Sequence, residues 1–300
     1  MLPVPRLSIA PRSIRCAVGG RVIHQRGVVL VAVLWIVMAL SIIVTGLSRS
    51  VRDEARMLSL ARQGAQASAL GDAAIQLVLQ QMGAEPKPVD RMTTVPVQYM
   101  GQEIGVQVMP LNGLVDINSA QIPLLVRLLT VAGGLAEGAA TPVAQAIVDY
   151  REQRSGQGIP RRFEAVEDLM RVPGVNYDLY ARLSGLVTAD IRGSGMVNPM
   201  AAPPPVLQML AGGNAELVSQ IDSRRQSGQP GIDMTGLDAA LVDSGTVRRY
   251  RLQARVSAAD GGAYLVTRYV DTNPRSRDGF PWTTFHMQRE VEPVPPRSSP

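Results

Sequence analysis

The chain has 300 residues, 46% of them hydrophobic, with a net charge of +5 and a pI near 9.8, which suits one or two domains with a core of ordinary size. The surplus charge does not argue for a nucleic-acid-binding face: Arg6, Arg12, Arg15, Arg21 and Arg26 all precede Val28, and the remainder carries 25 basic and 25 acidic residues. The one cysteine, Cys16, leaves no partner for a disulfide, and His24 and His286 lie on opposite sides of an apolar run, which excludes a multi-histidine metal or catalytic centre if that run spans a membrane.

The run is introduced by HQRGVVLVAVLWIVMAL, from His24 to Leu40, and no charged residue interrupts Val28 to Leu47. About 20 apolar residues cross a hydrocarbon core of about 30 Å, and basic residues ahead of them stay on the cytoplasmic side. A signal-anchor helix is one reading. A secretory peptide removed after the run is a second, but a typical h-region has roughly 7–15 residues and no A-x-A site follows. The third is cleavage between Gly27 and Val28. A basic leader over residues 1–27, a glycine, and then an unbroken apolar helix resembles a type IV pilin-like precursor. That resemblance implies an inner-membrane prepilin peptidase that cuts after Gly27 and methylates the new amine of Val28.

Helical patterning continues beyond Leu47. Val51, Ala55, Leu58, Ala61, Ala65, Ala69 and Ala73 recur every three or four residues without a proline, predicting a packing stripe of small side chains. Met82-Gly83 followed by Pro86 and Pro88 supplies the stop, so residues 28–84 read as a transmembrane and shaft helix, roughly 80 Å long at 1.5 Å per residue. A coiled-coil stalk is the alternative, but the stripe holds many alanines and few leucines. Pilin-like proteins mostly carry a glutamate at the fifth residue after the cut, thought to neutralise a neighbouring subunit's amine within the apolar shaft. Here the fifth residue is Ala32, and no acid occurs before Asp53. An unpaired charge in lipid costs several kcal/mol, so a subunit without this acid suits the front of a filament, where no neighbour stands ahead.

Over residues 89–112, VPVQYMGQEIGVQVMPLNG alternates around Gly101 and predicts a hairpin. Over 246–290, Tyr250 to Val256 and Tyr264 to Val270 form a second hairpin about Asp260-Gly261-Gly262, WTTFHMQRE adds a possible edge strand, and 291–300 reads as a disordered tail. Residues 113–245 between them read as short helices. LVDINSAQIPLLVRLL and MVNPMAAPPPVLQML share Val115/Val197, Ala120/Ala202, Pro123/Pro205, Leu125/Leu207 and Leu128/Leu210. Each is followed by a Gly-Gly pair and a second helix, predicting a duplicated helical hairpin with Asn118 or Ser119 as the first cap. Between the copies, Phe163, Val166, Leu169 and Met170 predict one helical face. Val172-Pro173-Gly174-Val175 breaks it, and Leu179 with Leu183 resumes it. The shape is that of a helix-hairpin-helix, whose glycine amides often hold a phosphate, but Asn176, Tyr177 and Asp178 stand where DNA-binding versions carry lysine or arginine.

Taken in order, these motifs resemble the K-type minor pseudopilin of bacterial type II secretion from about residue 21 to about 290. The resemblance implies an α+β fold: a long N-terminal transmembrane and shaft helix, then a pilin-like α/β head with an inserted helical-hairpin domain of SAM-like or helix-hairpin-helix-like type. It implies a non-enzymatic subunit of the inner membrane, single-pass, with its head in the periplasm at the pseudopilus tip. The implied partners are the I- and J-type minor pseudopilins, the major pseudopilin and the prepilin peptidase, with no nucleic acid expected. Family members can hold calcium through acids after the IVDY region. Here Asp149, Glu152, Glu164, Glu167 and Asp168 read as solvated helix faces, because calcium takes six to eight oxygens, several of them carboxylate, so no cofactor is expected. The alternatives are a membrane-tethered DNA-binding module in DNA uptake, and a periplasmic hydrolase, which would have only His286 to draw on and lacks a GxSxG or HExxH motif.

Overall fold

The computed structural model describes residues 26–85, 87–153, 161–191, 193–226, 234, 236–258, 261–273 and 279–292, with backbone alone for 26–28 and 44–51. Residues 1–25 of the basic leader, with Cys16 and His24, lie outside the described residues, as do Asp260 and the tail from residue 293. Contacts divide the chain into two units, residues 1–60 and 61–300.

Helix α1, Arg26–Ala84, has 59 residues and no proline. Within the first unit its described side chains, Val29 to Ile43 and Arg52 to Leu60, are exposed. Within the second unit, Ala67, Leu70, Ala74, Ile75, Val78 and Leu79 are buried. Their spacing of three and four places them on one face, and burial of each branched side chain stabilises by about 1.5–3 kcal/mol. The stripe predicted from Ala61, Ala65, Ala69 and Ala73 is out of phase with this face: the first three are exposed and Ala73 is only partly covered. Alanines give periodicity without fixing direction, whereas Ile75, Val78 and Leu79 carry the larger apolar area and decide which side turns inward.

That face packs on a five-stranded antiparallel sheet formed by β1, Thr93–Tyr99, β2, Gln102–Pro110, β5, Arg249–Ser257, β6, Ala263–Asp271, and β7, Thr283–Glu292, in the order β1-β2-β5-β6-β7. The first hairpin turns at Met100-Gly101, both with positive φ. The C-terminal part is a three-stranded meander, since β7 pairs with β6 along its length and runs through Glu292, two residues past the expected tail boundary. Strand alternation sends Val106, Val108, Leu252, Ala254, Val266 and Val270 into the core shared with α1.

The insert joins β2 to β5 and has its own core. It contains β3, Val115–Asp116, α2, Ile122–Arg127, α3, Glu137–Glu152, α4, Tyr177–Leu183, β4, Val187–Thr188, α5, Pro204–Leu210, and α6, Ala215–Gln226. It is therefore not wholly helical: β3 and β4 pair in parallel. The two sequence copies share a local arrangement. In the first, Val115 N–H donates to the Leu186 carbonyl at 3.0 Å; in the second, Val197 N–H donates to the Leu241 carbonyl at 3.0 Å, and Val197 bridges Val242 in parallel. Entry and exit of the insert are tied together. Asn112 Nδ2 donates to the Gly245 carbonyl at 2.6 Å, and Asn198 Nδ2 donates to the Asp90 carbonyl at 3.0 Å.

Candidate processing and assembly site

At the predicted processing junction the backbone is helical through Arg26, Gly27 and Val28; their side chains lie outside the described ones. Ala32 sits on an exposed helical surface with Leu30 and Trp35, which are 74% and 69% exposed. From Val29 to Ile43 the one hydroxyl is Ser41, whose Oγ donates to the Val37 carbonyl at 2.8 Å, so the helix satisfies it internally. Among the described residues no helix is long and apolar enough to cross a membrane; the described side chains of the run stop at Ile43, short of the about 20 residues that a span requires. The apolar side chains described from Val29 to Ile43 are uncovered, and the carboxylate nearest the junction on its C-terminal side in sequence is Asp53. An amine created at Val28 has no acid within its own apolar run.

The segment read as a helix-hairpin-helix shape is occupied by its own packing. Residues Val166–Arg171 form a 3-10 turn rather than an α-helical face, so Leu169 is buried while Met170 is 48% exposed. Gly174 has φ +89°, and a Cβ there would lie 2.7 Å from Val143 Cγ2, so glycine is required by both conformation and space. Asn176 caps α4 through Oδ1, which accepts from Leu179 N–H at 2.9 Å. Arg182, four residues after Asp178, donates to the Gly133 carbonyl at 2.7 Å. Cap, glycine and cation all serve the packing of the insert.

The acids considered for calcium are dispersed and partly engaged. Asp149 Oδ1 accepts from Gln145 Nε2 at 2.8 Å. Asp168 is not a solvated face: its Oδ2 accepts from Glu164 N–H at 2.9 Å and Ala165 N–H at 3.3 Å, and its Oδ1 pairs with Arg171 at 2.8 Å. Among the described residues no three His, Cys, Asp or Glu side chains are placed to hold a metal ion. Among the described residues these acids form no shared oxygen set.

Three polar residues that the sequence reading missed or misassigned meet around the turn after β3. Asn118 and Ser119 do not cap α2, whose N-cap is Gln121 with no side-chain bond. Asn118 instead clasps two distant segments: Nδ2 donates to the carbonyls of Phe163 at 3.0 Å and Ala189 at 3.1 Å, and Oδ1 accepts from Phe163 N–H at 2.9 Å. Ser119 Oγ donates to Asp116 Oδ2 at 2.6 Å. Arg151, on the last turn of α3, donates through Nη1 to the carbonyls of Ile117 at 3.2 Å and Ala120 at 2.9 Å. The D-x-N-S spacing was a legible turn signal; its partners, far along the chain, were not.

A cleft of about 730 Å³ separates the insert from the sheet face away from α1, lined among others by Glu167, Tyr180, Asp190, Arg251, Tyr269 and His286. Burial pushes the Asp190 carboxyl above the usual carboxylate range, opposed by Arg249 and His286. The Arg249 guanidinium also donates to the Asp190 carbonyl and pairs with Asp271 at 2.9 Å.

No protein-family model matches the chain, and no curated protein matches it. Among solved structures, the chain is similar to one chain of the GspK-GspI-GspJ complex from the type 2 secretion system of enterotoxigenic Escherichia coli, with 14% identity, 81% of this chain and 99% of that chain covered, and a TM-score of 0.45.

Proposed function

We propose that this chain is a minor pseudopilin of a type II secretion system, cut between Gly27 and Val28, anchored in the inner membrane by residues 28–47, and seated at the leading end of the pseudopilus with its head in the periplasm. The reading is carried by one observation: α1 runs unbroken from Arg26 to Ala84, through a glycine junction and an apolar stretch without an acid, and its distal part packs on an antiparallel sheet. An exposed apolar helix segment requires lipid or neighbouring helices to cover it. Ala32 in place of an acid removes the group that would answer a neighbour's amine ahead of it. The insert adds bulk to the head between β2 and β5, which a terminal place tolerates and an internal one does not. Its partners are the I- and J-type minor pseudopilins and the major pseudopilin, its role is assembly rather than catalysis, and it takes no nucleic acid.

The test is intact mass after co-expression with an active prepilin peptidase. The expected product begins at Val28, methylated, and lacks residues 1–27. A full-length product beside a processed control precursor would return the helix to a plain signal anchor.

A further inference from the structure

The turn Asp116–Ala120 concentrates oxygen atoms around one positive group. Asp116 is 3% exposed, and the carbonyls of Ile117 and Ala120 both accept from Arg151 Nη1. A buried carboxylate beside two carbonyl oxygens is the kind of oxygen set that a hard divalent cation uses. Here the set is already committed. Asp116 Oδ1 accepts from Asn118 N–H at 2.9 Å, and Oδ2 accepts from Ser119 Oγ at 2.6 Å and Gly193 N–H at 3.3 Å. The two carbonyls face a guanidinium, which stays charged at any ordinary pH and would repel an incoming metal ion. Residues 154–160, which follow α3 in sequence, contain no aspartate or glutamate to offset that repulsion.

We infer that Arg151 is a built-in cation that ties the end of α3 to the Asp116–Ala120 turn and makes the folding of this head independent of calcium. The position suits the task. A cation on the last turn of a helix is favoured by the helix dipole, and a hydrogen bond from a charged donor is stronger than a neutral one. The planar fork reaches two carbonyls from one nitrogen and leaves its charge near Asp116 and Glu152, the acids that act on Arg151. A calcium-dependent head and an arginine-tied head thus differ in what supplies the positive charge to the turn.

Thermal unfolding of the full chain in detergent, followed by circular dichroism in EGTA and in millimolar calcium, tests this. The native chain is expected to melt at the same temperature in both. Arg151→Met, which keeps an unbranched stem but removes the charge, is expected to melt several degrees lower, with no recovery in calcium, and Arg151→Lys is expected to regain part of the loss. A native midpoint that rises with calcium overturns the inference, as does an Arg151→Met chain that melts with the native one or is restored by calcium. If Arg151→Met fails to fold, Arg151→Lys and the native calcium comparison decide. The result stands apart from the subunit's place in a filament, because it reads the head's own stability.

Discussion

Gly71 of α1 lies so close to Val266 of β6 that a Cβ on the glycine would stand 2.7 Å from both Cβ and Cγ2 of that valine. Glycine inside a helix costs about 1 kcal/mol relative to alanine, and here the cost is offset by the approach of helix to sheet. Gly71→Ala therefore gains helix propensity but overpacks the core, with an expected net loss of about 1–3 kcal/mol. Val266→Ala in the same chain makes room, so the double variant is expected to be more stable than the sum of the singles by at least about 0.5 kcal/mol. Denaturant unfolding of the four chains checks the cycle, and simple additivity would show that the contact does not limit the packing.

Asn118 holds three hydrogen bonds to segments that are remote in sequence. Asn118→Ala leaves the Phe163 and Ala189 carbonyls and the Phe163 amide without this partner. The expected loss is about 2–4 kcal/mol, because unmade bonds in partly buried positions cost more than made ones contribute. Asn118→Asp keeps the acceptor for Phe163 N–H but turns a carboxylate toward two carbonyl oxygens, so it is expected to destabilise more at neutral pH than at pH 4. Urea melts at the two pH values read both effects.

Asp190 gives a pH dependence with a defined sign. Its folded pKa is raised by burial, so the folded state binds the proton more tightly than the unfolded state does. Its contribution to stability is fully present below the ordinary aspartate value of about 4 and is lost as pH rises through the raised folded value. Arg249, His286, Thr188 and Asp116 face or act on it. Of these, Arg249 and His286 lower the shift and Asp116 adds to it. Asp190→Asn removes this dependence. Its stability relative to the native chain is expected to improve as pH rises from about 4 to 7, and a constant difference across that range would contradict the assignment.

The architecture was legible where local and global signals agreed. The proline-free helix, the alternating strands about Gly101 and about Gly261-Gly262, and the Gly-Gly pairs in the insert each carry their geometry in adjacent residues. What escaped was direction and distance. The alanine stripe had the right period but the wrong face, because phase is set by which residues have the most apolar area to bury, and those begin at Ala67 and culminate at Leu79. Asn118 had a capping residue's chemistry but spends its hydrogen bonds on Phe163 and Ala189, partners that only the folded chain brings near. Met170 fell outside the core because the segment tightens into a 3-10 turn, whose repeat of three aligns Val166 with Leu169 and leaves the next residue outside. The junction at Gly27 and the alanine at position 32 rest on sequence, since they matter through what they present to an enzyme or a neighbouring subunit.

The most direct test of the whole account is the position of the processed subunit in an assembled pseudopilus, read by electron microscopy with a gold label on the head of the full chain. The account predicts at most one label per filament, at one end. Labels spaced along the shaft, with other subunits on both sides, would contradict it.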